Sequence, residues 1–112
     1  MDANVFKNYR DFVGQRPDKF FKNTLFQGEY LLLGLNCLEP GQEQHVHEHS
    51  DQDKFYFVLE GEGIFTVGEL VQSAGAGVLV WAASGVPHGV RNAAATRLVI
   101  LMGIAPALAT NA

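Results

Sequence analysis

The sequence has little of what marks several common classes of protein. It holds one cysteine, Cys37, so it forms no internal disulfide and is not a disulfide-stapled scaffold. Its 8 lysines and arginines are outnumbered by 12 acidic residues, and they are scattered along the chain. Because nucleic acids are bound by clustered positive charge, we expect no nucleic-acid partner.

A long hydrophobic run is also lacking. The most apolar segment, RLVILMGIAPALA at residues 97–109, is interrupted by Pro106 and is shorter than the roughly 20 residues that span a membrane. No charged start precedes an apolar stretch of the kind found in signal peptides. We therefore expect no membrane contact and a cytoplasmic location.

What the sequence does have is a high proportion of apolar residues, 47%, in a chain of 112 residues. That size suits one domain over residues 1–112 with a single core. Apolar residues recur at helical spacing from residue 3 to residue 14, and Gly14 and Pro17 follow as stop signals. This pattern predicts a short N-terminal helix.

Beyond Pro17 the sequence alternates short strand-like runs with turns rich in glycine. Seven or more such runs follow one another without a second helical pattern. An antiparallel all-β sandwich or barrel is therefore predicted. We divide the chain into a helix and first hairpin at 1–38, a barrel at 39–104 and a short C-terminal tail at 105–112.

All four histidines lie in two places. His45, His47 and His49 alternate along one predicted strand, where residues two apart face the same side, and His88 follows the turn SGVP. Imidazole is a good ligand for zinc, copper, iron and nickel, so His88 could complete a metal site begun by a pair of the alternating histidines. His45 lies nearest the turn at 40–41 and is expected at the rim without contact to metal.

Two spaced patterns give the sequence a family resemblance. The first consists of Gly41, His47, His49, Lys54 and Gly61. It resembles the first motif of the cupin superfamily, which has glutamate at the position of Lys54.

The second pattern consists of Gly77, Ala83, Gly85, His88 and Asn92. It resembles the second cupin motif, with alanine in place of its proline. The resemblance implies a small single-domain cupin of the cupin 2, RmlC-like type. Such a protein is a double-stranded β-helix, or jelly-roll barrel, often dimeric, with metal at its centre.

The resemblance further implies that His47, His49 and His88 bind one divalent transition metal ion, Zn, Fe, Mn, Ni or Cu. Lys54 conflicts with this, because an ammonium about 4 Å from a dication is repelled by roughly 8 kcal/mol at an effective dielectric of about 20.

Three arrangements of the lysine stay open. In the first, Lys54 faces inward with Tyr56, and the site holds an anion or little metal. In the second, the strand slips by one residue, so that Asp53 faces the histidines as a fourth ligand. In the third, three histidines and water hold the ion while Lys54 bends away.

The predicted partner is a small-molecule ligand or substrate, in a pocket that includes His45, Lys54 and Tyr56. The resemblance implies dioxygenase, isomerase, lyase or decarboxylase activity and does not choose among them. The alternative is a metal-free binding or sensor protein that captures a sugar or a carboxylate, with Lys54 as the anion anchor. A purely structural ion is a weaker third hypothesis, because structural sites usually supply four protein ligands.

Lys54 also bears on assembly. If it faces inward, Phe55, Phe57 and Leu59 face outward, and a second copy of the chain or the N-terminal helix must cover them. Since the cupin resemblance implies a protein that is often dimeric, the expected assembly is a homodimer.

Overall fold

A computed structural model describes residues 4–107 as two antiparallel sheets. The strands are β1 (Phe21–Gln27), β2 (Leu32–Leu38), β3 (Glu43–His47), β4 (Asp53–Glu60), β5 (Glu62–Val67), β6 (Leu70–Gly75), β7 (Leu79–Ala82), β8 (His88–Arg91) and β9 (Leu98–Ala105). One sheet has the order β1-β2-β9-β4-β7 and the other β3-β8-β5-β6. The predicted all-β jelly roll is confirmed. In the described part of the chain, no helix is long and apolar enough to cross a membrane.

The predicted N-terminal helix is wrong. Within the described part of 3–14 there is only one 3-10 turn, Tyr9–Asp11, in which the side chain of Asn8 caps the backbone N–H of Arg10. Three apolar residues of this segment pack instead on the outer face of the five-stranded sheet, namely Tyr9, Phe12 and Val13, whereas Val5 and Phe6 are exposed. The spacing of Tyr9, Phe12 and Val13 reflects this contact with the sheet. The predicted helix would have been short and would have gained little stability from its own hydrogen bonds. Of the predicted tail, Ala105 belongs to β9 and residues 108–112 lie outside the described residues.

The core between the sheets is made of buried apolar side chains from both. They are Leu38, Tyr56, Val58, Phe65, Ala74, Val90, Leu98 and Ile100. A second cluster, which we call the outer cluster, lies on the other face of the five-stranded sheet under the N-terminal segment. It consists of Leu25, Leu35, Cys37 and Val99, with Tyr9, Phe12, Val13, Phe21, Phe26, Leu59 and Leu101 packed against them.

The pairing of β4 fixes which of its side chains face the core. Lys54 pairs with Ile104 and Tyr56 with Met102 of β9, in unbroken register. Lys54 is 3% exposed and Tyr56 0%, whereas Phe55 between them is only partly buried on the opposite face. Lys54 therefore faces inward, and the alternative in which the strand slips by one residue is wrong.

Candidate metal centre

Three histidines meet at the end of the barrel between the two sheets. His47 ends β3 and pairs directly with His88, which begins β8, while His49 lies in the loop after β3. Their ring centroids are 4.5 Å apart for His47 and His88, 5.0 Å for His47 and His49, and 5.6 Å for His49 and His88. One potential ligand atom from each lies within 4.8 Å of the other two. The three predicted metal ligands are thus brought together.

The fourth histidine, His45, lies outside this group. The register of β3 shifts between Gln44 and His47, so that two residues separate the inward-facing positions and the strict alternation breaks. The His45 side chain is 86% exposed, with Nδ1 3.3 Å from a carboxylate oxygen of Glu43. His45 therefore lies away from the three-histidine group, and it does not line the cavity wall where it was also predicted.

Hydrogen bonds set the tautomers of two of the rings. Nδ1 of His47 lies 2.9 Å from the carbonyl oxygen of His45, and Nδ1 of His88 lies 2.9 Å from that of Val86. Because a carbonyl only accepts, each Nδ1 carries the hydrogen and leaves the lone pair on Nε2. Histidines that bind metals are commonly oriented in this way. Nε2 of His88 is buried and has no hydrogen-bond partner among residues 4–107.

The surroundings favour the neutral form of two of the rings, those of His88 and His49. Burial lowers the pKa of His88 to about 4, with smaller contributions from the positive charge of Lys54 and from the neighbouring histidines. The hydrogen bond to Val86 acts in the opposite direction. The pKa of His49 is also lowered, first by burial and then by His47 and Lys54. Because a metal binds the neutral ring, both histidines are ready to act as ligands near pH 7.

These donors fit a divalent transition metal ion. Three imidazole nitrogens converge, and an orphaned buried nitrogen is the feature that an ion would satisfy. Three protein ligands would leave a position open for a small molecule, as in catalytic zinc sites.

Asp53 is not brought to the histidines. Its side chain is exposed, and Oδ1 accepts a hydrogen bond of 2.9 Å from the backbone N–H of Ser84. Since neighbours on a strand face opposite sides, the inward position of Lys54 turns Asp53 away. Among the residues that the structure describes, no carboxylate joins the three-histidine group.

A cavity of about 550 Å³ adjoins the group and is lined by His47, His49 and Lys54. The Lys54 Nζ lies 4.7 Å from the centre of the Tyr56 ring. Burial lowers the pKa of Lys54 to about 8, and the positive charge of Lys22 adds to this effect. At pH 7 the buried lysine therefore still carries its charge.

Tyr56 has a different place from the one predicted. It is fully buried, its OH donates a 2.6 Å hydrogen bond to Gln44 Oε1, and burial raises its pKa. Its ring packs against Phe65 and His88, with centroids 5.2 and 6.1 Å away. Tyr56 therefore packs against the His88 ring and does not line the cavity.

Sequence reasoning missed several polar residues of the cavity wall. Among them are Lys22, Asn36, Gln44 and Gln52. One signal was present, because Asn36 interrupts the otherwise apolar run of β2 and a polar residue inside such a run is unusual. The other three gave no sign before the strands were placed.

Comparison with known proteins agrees with this picture. The family model described as "Cupin domain" matches residues 34–104. A comparison with curated proteins found no match.

Among solved structures, the chain is similar to TT1209 from Thermus thermophilus. The two are 40% identical over 90% of this chain and 96% of that one, with a TM-score of 0.88. An RmlC-like cupin from Desulfovibrio desulfuricans is 30% identical over 96% and 98% of the two chains, with a TM-score of 0.76.

A third similar structure is a predicted oxalate decarboxylase from Thermotoga maritima. It is 28% identical over 70% of this chain and 69% of that one, with a TM-score of 0.67. With the family model matching well over half of its length, the chain belongs to the cupin family.

Proposed function

We propose that this cupin binds one divalent transition metal ion at His47, His49 and His88 and binds or transforms a small organic molecule beside it. The observation that carries the proposal is the buried Nε2 of His88, which has no partner in the described part of the chain and lies with the ligand atoms of the other two histidines. Leaving such a nitrogen unpaired costs about 1–3 kcal/mol, which an ion would recover.

The chemistry of such a site follows from its donors. A bound ion with an open position supplies Lewis acidity that polarises a carbonyl or carboxylate of the bound molecule. The protein's part is to hold the rings, through the carbonyl groups of His45 and Val86, and to enclose the molecule in the adjoining cavity. The name of the Thermotoga neighbour, a predicted oxalate decarboxylase, supports a small organic molecule as the substrate.

A second candidate function is supported by Lys54. Its inward ammonium opposes a dication, so the same cavity could serve a metal-free binding protein in which Lys54 anchors an anion. The two candidates differ in metal content, which makes them separable in one experiment.

The experiment is elemental analysis by plasma mass spectrometry on tag-free protein purified without chelator. About one transition metal ion per chain is expected for the wild type, and His47→Ala and His88→Ala should each lose most of it. His45→Ala is the matched control, because its ring lies outside the group, and it should keep the metal. No metal in the wild type, even after incubation with divalent ions, would favour the metal-free function.

We also propose that the protein works as a homodimer in the cytoplasm. The support for a dimer is the outer face of β7, an edge strand, where Leu79 is 67% and Trp81 60% exposed. Exposed apolar side chains beside an unpaired strand edge suit a symmetric contact with a second copy. The single thiol, on Cys37, is buried and free, as suits a reducing compartment.

A further inference from the structure

The cavity beside the histidines has an unusual charge for this protein. The chain as a whole has a net charge of −4 at pH 7 and contains 12 acidic residues. Within the described residues, no acidic side chain lines the cavity, whereas two lysines, Lys22 and Lys54, do. A cationic cavity in an anionic protein attracts a negatively charged ligand and discriminates against a positive one.

Lys54 is available to such a ligand. It is 3% exposed, and its described interaction is the contact of Nζ with the Tyr56 ring, without a hydrogen bond to any of residues 4–107. A buried ammonium has three donors to satisfy, and an aromatic face satisfies them only in part. The lysine therefore lacks the acceptor that a buried cation usually has.

Asn36 supplies a second unmet donor on the same wall. It is 2% exposed, and its Nδ2 is buried without a hydrogen-bond partner in the described part of the chain. On β2 it pairs directly with Lys22 of β1, so the amide and the second lysine lie side by side on the inner face of the sheet. Gly34, two residues earlier on β2, lines the same cavity.

We propose that this wall is a carboxylate-binding subsite, in which Lys54 donates to the carboxylate oxygens, the Asn36 amide offers a second donor further along the wall, and Lys22 adds positive charge. Ammonium and amide donors suit a carboxylate. Phosphate sites more often use arginine or a nest of backbone N–H groups at a helix start, and the described cavity lining has no arginine and no helix.

With this subsite, the two ends of the cavity bind different parts of the ligand. The wall of Lys54 and Asn36 holds the carboxylate, and the other end of the molecule reaches towards His47 and His49 on the same cavity. This second statement rests on the proposed metal function, whereas the subsite itself does not. The anion also offsets the repulsion between Lys54 and a dication, so metal and carboxylate should each strengthen the binding of the other.

The test is calorimetric titration of malonate into the full chain after removal of metal with a chelator. Malonamide is the matched uncharged compound. Malonate should bind, and malonamide should bind at least about tenfold more weakly, because charge-assisted hydrogen bonds are lost.

Two variants locate the binding. Lys54→Met keeps length and bulk without the charge, and Asn36→Leu keeps the volume without the donor. Each should weaken malonate binding by about tenfold to a hundredfold. Lys19→Met, which removes an exposed lysine away from the cavity, should bind like the wild type. If Asn36→Leu does not fold, as judged by circular dichroism, Lys54→Met alone decides.

Several outcomes overturn the subsite. The first is undetectable malonate binding by the wild type, and the second is malonate binding by both variants that equals that of the wild type. The third is malonamide binding as tight as that of malonate, and the fourth is phosphate binding through Lys54 that is tighter than that of malonate. Metal analysis of the same preparation separates this inference from the proposed function. One metal ion per chain without Lys54-dependent malonate binding removes the subsite and leaves the function. Lys54-dependent malonate binding in a protein that takes up no metal removes the proposed metal function and leaves the subsite.

Discussion

Removal of the buried charge of Lys54 should stabilise the protein. Burial in the fold lowers the pKa of Lys54 from 10.5 to about 8, and the experiment uses chelator-treated protein without added carboxylate so that no ligand offsets this effect. The charged lysine therefore costs the folded state about 3 kcal/mol at pH 7. Lys54→Met removes that cost and also loses the contact with the Tyr56 ring, worth about 1 kcal/mol. The expected net gain in the free energy of unfolding is about 2 kcal/mol.

The same reasoning fixes a pH dependence. Since the folded state loses the lysine proton more readily than the unfolded state, the wild type should become more stable as pH rises from about 8 towards 10.5. Between about pH 7 and about pH 9.5 the gain should be about 2 kcal/mol. The comparison stops below about pH 10 because burial raises the pKa of Tyr56 in the folded state. Above that pH the tyrosine ionises in the unfolded state first, and the free energy of unfolding falls.

The assay is urea denaturation followed by fluorescence at both pH values, with Lys19→Met as the control for loss of a lysine. At the lower pH, Lys54→Met should have a higher urea midpoint than the wild type. Between the two pH values, its stability should show little of the rise that is expected for the wild type. A variant that is less stable than the wild type at neutral pH, together with a wild type whose stability does not rise with pH, would refute the buried charge. If the stabilised variant also loses malonate binding, the lysine is retained for function at the expense of stability.

Three further predictions concern the metal, the backbone and the assembly. Lys54→Glu, which restores the residue of the cupin motif, should raise the affinity for a divalent ion by about tenfold or more in a competition titration, because attraction replaces repulsion; unchanged affinity would mean that residue 54 does not act on the metal. Gly61→Ala should lower the free energy of unfolding by about 2 kcal/mol or more, since Gly61 has φ +81° and a Cβ there would collide with the carbonyl of Arg97. Gly77→Ala, with φ +93° and open space, isolates the backbone strain and should cost less in the same denaturation assay. Light scattering should give twice the monomer mass for the wild type and the monomer mass for Trp81→Glu, and a monomeric wild type would contradict the dimer.

Much of the candidate site could be predicted from the sequence. The three candidate ligands His47, His49 and His88 lie in two short motifs whose spacing is local, and the strand and turn signals around them are local as well. Strand patterning and glycine turns therefore indicated the all-β class, and the histidine spacing indicated the candidate ligands. The N-terminal segment shows the limit of local reasoning, because the spacing of Tyr9, Phe12 and Val13 reflects contact with the outer cluster and not a helix.

The rest was decided by how the strands pair. Which face of β4 is inside depends on its register with β9, so the sequence left Lys54 and Asp53 undecided and the pairing turned Lys54 inward. A bulge in β3 separated His45 from its neighbours, although the alternation of the sequence had joined them. Asn36, on a strand distant in sequence, meets the same cavity as Lys54 only because β2 and β4 both pair with β9. Local patterns determine strands and candidate ligands, whereas long-range pairing determines which side chains share a cavity.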